Sequence, residues 1–170
     1  MRALKFGLLF LGIFTVLFAS IGLFVPSVDF KTKIEIKKPL EYSYSIFGNP
    51  MLLTNWITGL KSIRYVAGIP FQPGCKFKMT IERNGQDRVI TQELIEFESY
   101  HHISFLLEEK KYTINVRVDF YGDGENTTIV TKNTIIGKDY LYSCLAPFAA
   151  MSMKKETMID YNKLKKLIEN

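Results

Sequence analysis

The chain has 170 residues, with 22 basic against 17 acidic side chains and only two cysteines and two histidines. With the apolar first ~28 residues set aside, about 140 remain, enough for one core and too few for two. A formal charge of +5 without any Arg/Lys stripe interleaved by aromatics argues against nucleic acid as a partner. Cys75 and Cys144 lack CxxC spacing, so they form neither a disulfide framework nor a metal site.

Arg2 and Lys5 precede an uncharged run from Phe6 to Val25. At 1.5 Å per residue such a helix crosses a hydrocarbon core of about 30 Å. Pro26-Ser27 ends it. The run is longer than the apolar part of a cleavable leader, and Ala19-Ser20 is followed by further apolar residues. Residues 1–27 are therefore expected to be an uncleaved single-pass transmembrane anchor, with the membrane partner contacted by residues 6–25, and residues 28–170 one folded domain. Arg2, Lys5 and the amino terminus favour a non-cytoplasmic domain; Lys31, Lys33, Lys37 and Lys38 argue the reverse. The balance falls slightly to the non-cytoplasmic side.

Val28 to Lys37 alternates apolar and polar residues, the period of a half-buried strand. Pro39 ends it and starts a short helix over Leu40 to Phe47, broken by Gly48-Asn49-Pro50. Met51 to Leu60 reads as a second short helix carrying Trp56. From Gly74 onward strands dominate. Cys75 to Ile81 alternates, Asn84-Gly85 is a tight-turn signal, and Arg88 to Glu98 returns. Ile103 to Leu107, Tyr112 to Phe120 and Thr127 to Ile136 complete the set, with Gly122-Asp123-Gly124 between the last two. Asp139 can cap a long helix reaching about Glu169. Ala146, Ala150, Met153, Thr157, Tyr161, Leu164 and Ile168 fall on one side of it at helical spacing, and Pro147 should kink or restart it. The fold class is α+β: a curved antiparallel sheet covered by one long C-terminal helix. A rod crossing a bent sheet leaves a cavity beneath it.

In this order, Lys37-Lys38-Pro39 after a strand, Tyr44, Asn49-Pro50, Trp56, Pro73-Gly74 and the closing Leu164-Lys165-Lys166-Leu167-Ile168-Glu169 resemble the SRPBCC superfamily. These are the START-related, polyketide cyclase/dehydrase-like proteins with the helix-grip fold of the birch pollen allergen. Membrane-anchored members with an apolar segment, Pro-Ser and then the first strand look similar from residue 1. The resemblance implies a hydrophobic ligand pocket and no particular reaction. The pocket residues used by the superfamily's cyclases, hydrolases and iron–sulfur oxygenases find no match here, and the cluster domain of the last group is absent from the sequence.

Phe77, Met79, Phe105, Tyr112, Val116, Ala150, Met153 and Tyr161 are the candidate cavity wall, with Met supplying adaptable shape and Tyr a polar handle. Ordinary core packing is the competing account of each. His101-His102 reads as a turn between strands; in a strand the two rings would point to opposite faces and could not share a metal. Glu93, Glu96 and Glu98 lie on one strand, where a solvated outer face competes with an acid/base pair. No nucleophile elbow, phosphate loop, metal motif or cofactor motif occurs. Asn126-Thr127-Thr128 fits a glycosylation sequon on a hairpin. The expected function is binding or carriage of a small hydrophobic ligand (lipid, isoprenoid or aromatic) beside the membrane, without catalytic residues, metal or cofactor. A cyclase-like enzyme using Tyr112, Tyr161 or Glu93, and an envelope interaction protein with a filled core, are the alternatives.

Overall fold

The computed structural model describes residues 2–83 and 85–170, the side chains of 2–4 apart. Helix α1 spans Arg2–Phe24. Strand β1 (Val28–Ile36) follows, then α2 (Leu40–Phe47), a 3-10 turn at Pro50–Leu52 and the single turn α3 (Leu53–Trp56). Strands β2 (Leu60–Ala67), β3 (Lys76–Arg83), β4 (Gln86–Glu98), β5 (His102–Glu108), β6 (Tyr112–Gly122) and β7 (Thr127–Gly137) lead into α4 (Tyr140–Glu169). The strands make one antiparallel sheet in the order β1-β7-β6-β5-β4-β3-β2.

Local chemistry explains most boundaries. Pro39 precedes α2 without any side-chain cap, and Gly48 closes it. Asn49 accepts from the Met51 N–H and caps the 3-10 turn. Gly85 takes φ +73° at the β3–β4 turn, as a tight hairpin needs; the Asn84 half of that turn signal lies outside the described residues. Asp123 accepts from the Glu125 and Asn126 N–H groups, folding the β6–β7 turn on itself. Asp139 accepts from the Tyr142 N–H and starts α4 at the expected place.

One expectation is corrected. Met51 to Leu60 is not one helix: Ile57 is extended, and the helical part ends at Trp56. Leu60–Ala67 is instead β2, the edge strand, paired to β3 with two register irregularities. At Pro147, where the sequence predicts a kink or a restart, α4 does not restart: it is continuous from Tyr140 to Glu169, although the Ser143 carbonyl loses its helical donor there.

The inner face of the sheet is divided between two covers. The core-facing side of α4 rests on β1 and β7. Its C-terminal half is fixed by Tyr161, Leu164 and Ile168, which meet Ile34, Ile36, Val118 and Ile129. α2 and α3 lie alongside α4 and bring Phe47 and Trp56 into the same core, their rings 5.5 Å apart. Over the β5-to-β2 half of the sheet α4 stands off, reaching β3 through its Glu156 and Asp160 side chains on Arg83. α1 continues away from the domain: only residues 18–22 are partly covered, and residues 5–17 are exposed. Lys5–Phe24 is long and apolar enough to cross a membrane or to serve as a signal sequence.

Candidate functional site

The division of the inner face produces two hollows. The first, of about 380 Å³, lies over β3, β4 and β5 toward the end of the sheet remote from α1. Its floor includes Phe77, Met79, Leu94 and Phe105, and its roof is Phe47 and Trp56 with Pro70 and Phe71 of the β2–β3 loop. Ser45, Gln92 and the Tyr44 side chain are the polar interruptions in an otherwise apolar lining. Phe71 takes φ +61°, a left-handed backbone rare for an aromatic residue, and its exposed ring leans on Phe97 at 5.8 Å. Trp56, the chain's one tryptophan, is buried in this wall with no partner for its indole N–H among the described residues.

The second hollow, of about 400 Å³, lies at the α1 end, between the N-terminal half of α4 and β3 to β7. It mixes Tyr112, Leu107 and Met153 with Arg83, Arg88, Lys111, Glu109, Glu156 and Asp160. Arg83 holds Glu156 at 3.1 Å and Asp160 at 3.7 Å and donates to the Thr58 carbonyl. Burial raises the Asp160 pKa, although its carboxylate accepts from the Thr58 N–H at 2.9 Å and faces Arg83. Burial likewise raises Glu109, against the pull of Arg88 and Lys111.

The eight candidate wall residues therefore separate. Phe77, Met79 and Phe105 line the first hollow; Tyr112 and Met153 line the second. Val116, Ala150 and Tyr161 line neither. Val116 is packed between the two adjoining core clusters, Ala150 lies flat against Tyr112, Ile114 and Ile135, and Tyr161 is closed into the core by a hydroxyl contact with Thr131. Its burial pushes the phenol up to about 12. These three sit where helix and sheet touch, and touching surfaces leave no hollow.

The sequence missed the roof. Phe47, Trp56, Pro70 and Phe71 come from short helices and a loop with no periodicity to read. Gln92 and Leu94 were reachable: the Asn84-Gly85 turn signal in the sequence implies a β3–β4 register in which Phe77 stands opposite Gln92, as it does.

The polar candidates are on the outside. Glu96 and Glu98 flank His102 at 3.4 and 3.3 Å, and Glu96 also binds Arg117 at 2.9 Å. Arg117 in turn holds Asp119, which also faces Lys132. Burial would raise the Asp119 pKa, but these two cations hold it below the usual carboxylate value. Glu93 pairs with Lys76 at 3.0 Å on the surface. Cys75 and Cys144 are both buried free thiols.

No family model matches the sequence, and no curated protein matches it either. Solved structures do. The Zhui aromatase/cyclase from Streptomyces sp. R1128 superposes with a TM-score of 0.72 at 8% identity, covering 84% of this chain and 94% of that one. Major latex-like protein 151 from Panax ginseng gives 0.68 at 11% identity, covering 85% and 99%. A START superfamily protein from Mycobacterium smegmatis gives 0.61 at 16% identity, covering 83% and 94%. The fold is thus of the SRPBCC type: a helix-grip arrangement of a seven-stranded antiparallel sheet and a long C-terminal helix.

Proposed function

We propose that this protein binds and carries a small hydrophobic molecule (a lipid, isoprenoid or aromatic compound) in the first hollow, tethered to a bilayer by residues 1–27. The observation that carries the reading is the first hollow itself, about 380 Å³ with an aromatic and aliphatic wall. Each 100 Å² of apolar ligand surface enclosed there is worth roughly 2.5 kcal/mol before the costs of association. Phe77, Met79 and Phe105 are the proposed contacts from the original candidates, with Trp56 and Phe71 added from the roof.

The Zhui neighbour is an aromatase/cyclase, so turnover of such a ligand is the natural competitor. In this chain Tyr161 is engaged with Thr131, Tyr112 belongs to the other hollow and Glu93 to the surface. No pair of acid/base groups converges on the first hollow among the described residues, and binding is the better-supported function. For the anchor, the support is the uncovered apolar length of α1.

Trp56 supplies a direct test. Full-length protein in detergent, titrated with a naphthalene sulfonate probe or a long-chain isoprenol, should show saturable change in tryptophan emission. Mass spectrometry of organic extracts should find a stoichiometric apolar compound. A flat titration together with an empty extract would sink the proposal.

A further inference from the structure

A surface helix normally turns its charged side to water. α4 does so only in part. At about 100° per residue, Leu141, Cys144, Phe148 and Met151 project opposite the core-facing Ala146 and Ala150. Leu141, Phe148 and Met151 are 55%, 59% and 63% exposed. Beyond Met151 the same outward side turns mainly polar, with Lys155, Asn162 and Lys166 interrupted by Ile159.

α1 lies on that side of α4. The Tyr140 hydroxyl donates to the Ala19 carbonyl, and the Cys144 thiol approaches the same oxygen at 3.9 Å. Gly22 allows the crossing: a Cβ there would come within 2.6 Å of the Cys144 sulfur. The exposed apolar surface of α1 is therefore continuous with that of α4. Only Val25, Pro26 and Ser27 separate α1 from β1, a reach of about 10 Å at full extension. If α1 enters a bilayer, this end of the domain cannot leave its surface. Arg88 and Lys111 line the second hollow beside Leu145 and Phe148, Lys138 stands just before α4 and Lys155 one turn beyond Met151. None makes an ion pair among the described residues, although Arg88, Lys111 and Lys138 act on the carboxyl of Glu109.

We propose that the outward face of α4 from Leu141 to Met151 is a membrane-docking surface, seated among the headgroups of an anionic leaflet beside α1. The proposal rests on α1 being a bilayer span. The apolar side chains enter the interface, and the four cations meet lipid phosphates. Leu145 and Phe148 also line the second hollow, so seating α4 brings that hollow's rim to the lipid. The first hollow is held at the far end of the domain, away from the surface.

The test uses the full chain in nanodiscs containing phosphatidylglycerol. An environment-sensitive nitrobenzoxadiazole label is placed on M151C, and on E125C in the distant β6–β7 turn as control; the native cysteines are buried and stay unlabelled. The 151 label should be blue-shifted, several-fold brighter and quenched by doxyl-labelled lipid, while the 125 label remains in water. F148E should cut the quenching at 151 without releasing the chain from the disc. Equal exposure of both labels in a chain that resists alkaline extraction overturns the seat and leaves the span standing. Extraction of the chain by alkali overturns the span and the seat together. Cross-linking between two 151 positions in place of lipid quenching assigns the patch to a second copy and overturns the seat.

Discussion

Phe105→Ala separates the two hollows most cleanly. Phe105 stands on β5 between Leu94 and Val116 in register, is partly buried, and lines the first hollow. A ligand filling that space would lie against one face of the ring, about 50 Å² of contact. At roughly 25 cal/mol per Å² its removal costs about 1.3 kcal/mol of binding, close to a tenfold rise in Kd. The fold should survive: complete burial and loss of a Phe costs about 3–5 kcal/mol, and this ring is only part-buried. Binding is read from Trp56 emission and by calorimetry, with a thermal melt to confirm folding. Two controls frame the result. Tyr161→Phe should leave Kd unchanged while costing about 1 kcal/mol of stability through the orphaned Thr131 hydroxyl. Ala149→Trp, which crowds the second hollow, should also leave Kd unchanged. An unaltered Kd in Phe105→Ala combined with lost binding in Ala149→Trp would refute the assignment and move the ligand to the second hollow.

Other outcomes follow from the same structure. Leu164 is 0% exposed at the α4–sheet contact, so Leu164→Ala should cost about 2–5 kcal/mol and lower Tm by roughly 10 °C in a calorimetric scan. Asp160 has a raised folded pKa, so the folded state binds the proton more tightly than the unfolded one, and its contribution to stability falls as pH rises above 3.8 toward the folded value. Asp119 is lowered, so the stability it contributes is present above 3.8 and is lost as pH falls through the folded value. Denaturant titrations at stepped pH should therefore show opposite changes of slope in Asp160→Asn and Asp119→Asn; changes of one sign contradict the assigned environments. Phe71→Gly removes a left-handed aromatic and the ring over Phe97 together. It should relax the loop and speed ligand release in stopped-flow measurements; an unchanged rate means the loop is not on the exit path.

Periodicity alone determined the elements whose faces differ sharply. Tyr112 to Phe120, Val28 to Ile36 and the long helix from Asp139 announce themselves because one face meets the core and the other meets water. The apolar run before Pro26 is equally plain, since its composition is its signal. β2 escaped because an edge strand with two register breaks buries little: Leu60 alone is buried there, and its pattern is correspondingly weak. The split of the cavity lay beyond the sequence for a different reason. Whether Tyr161 packs or lines a wall depends on where the rigid α4 lands on a curved sheet, packed directly on β1 and β7 and standing off β3 to β5. That placement is set by α2, α3 and α4 competing for one inner face, a contest among residues distant in the chain that only the assembled tertiary structure decides.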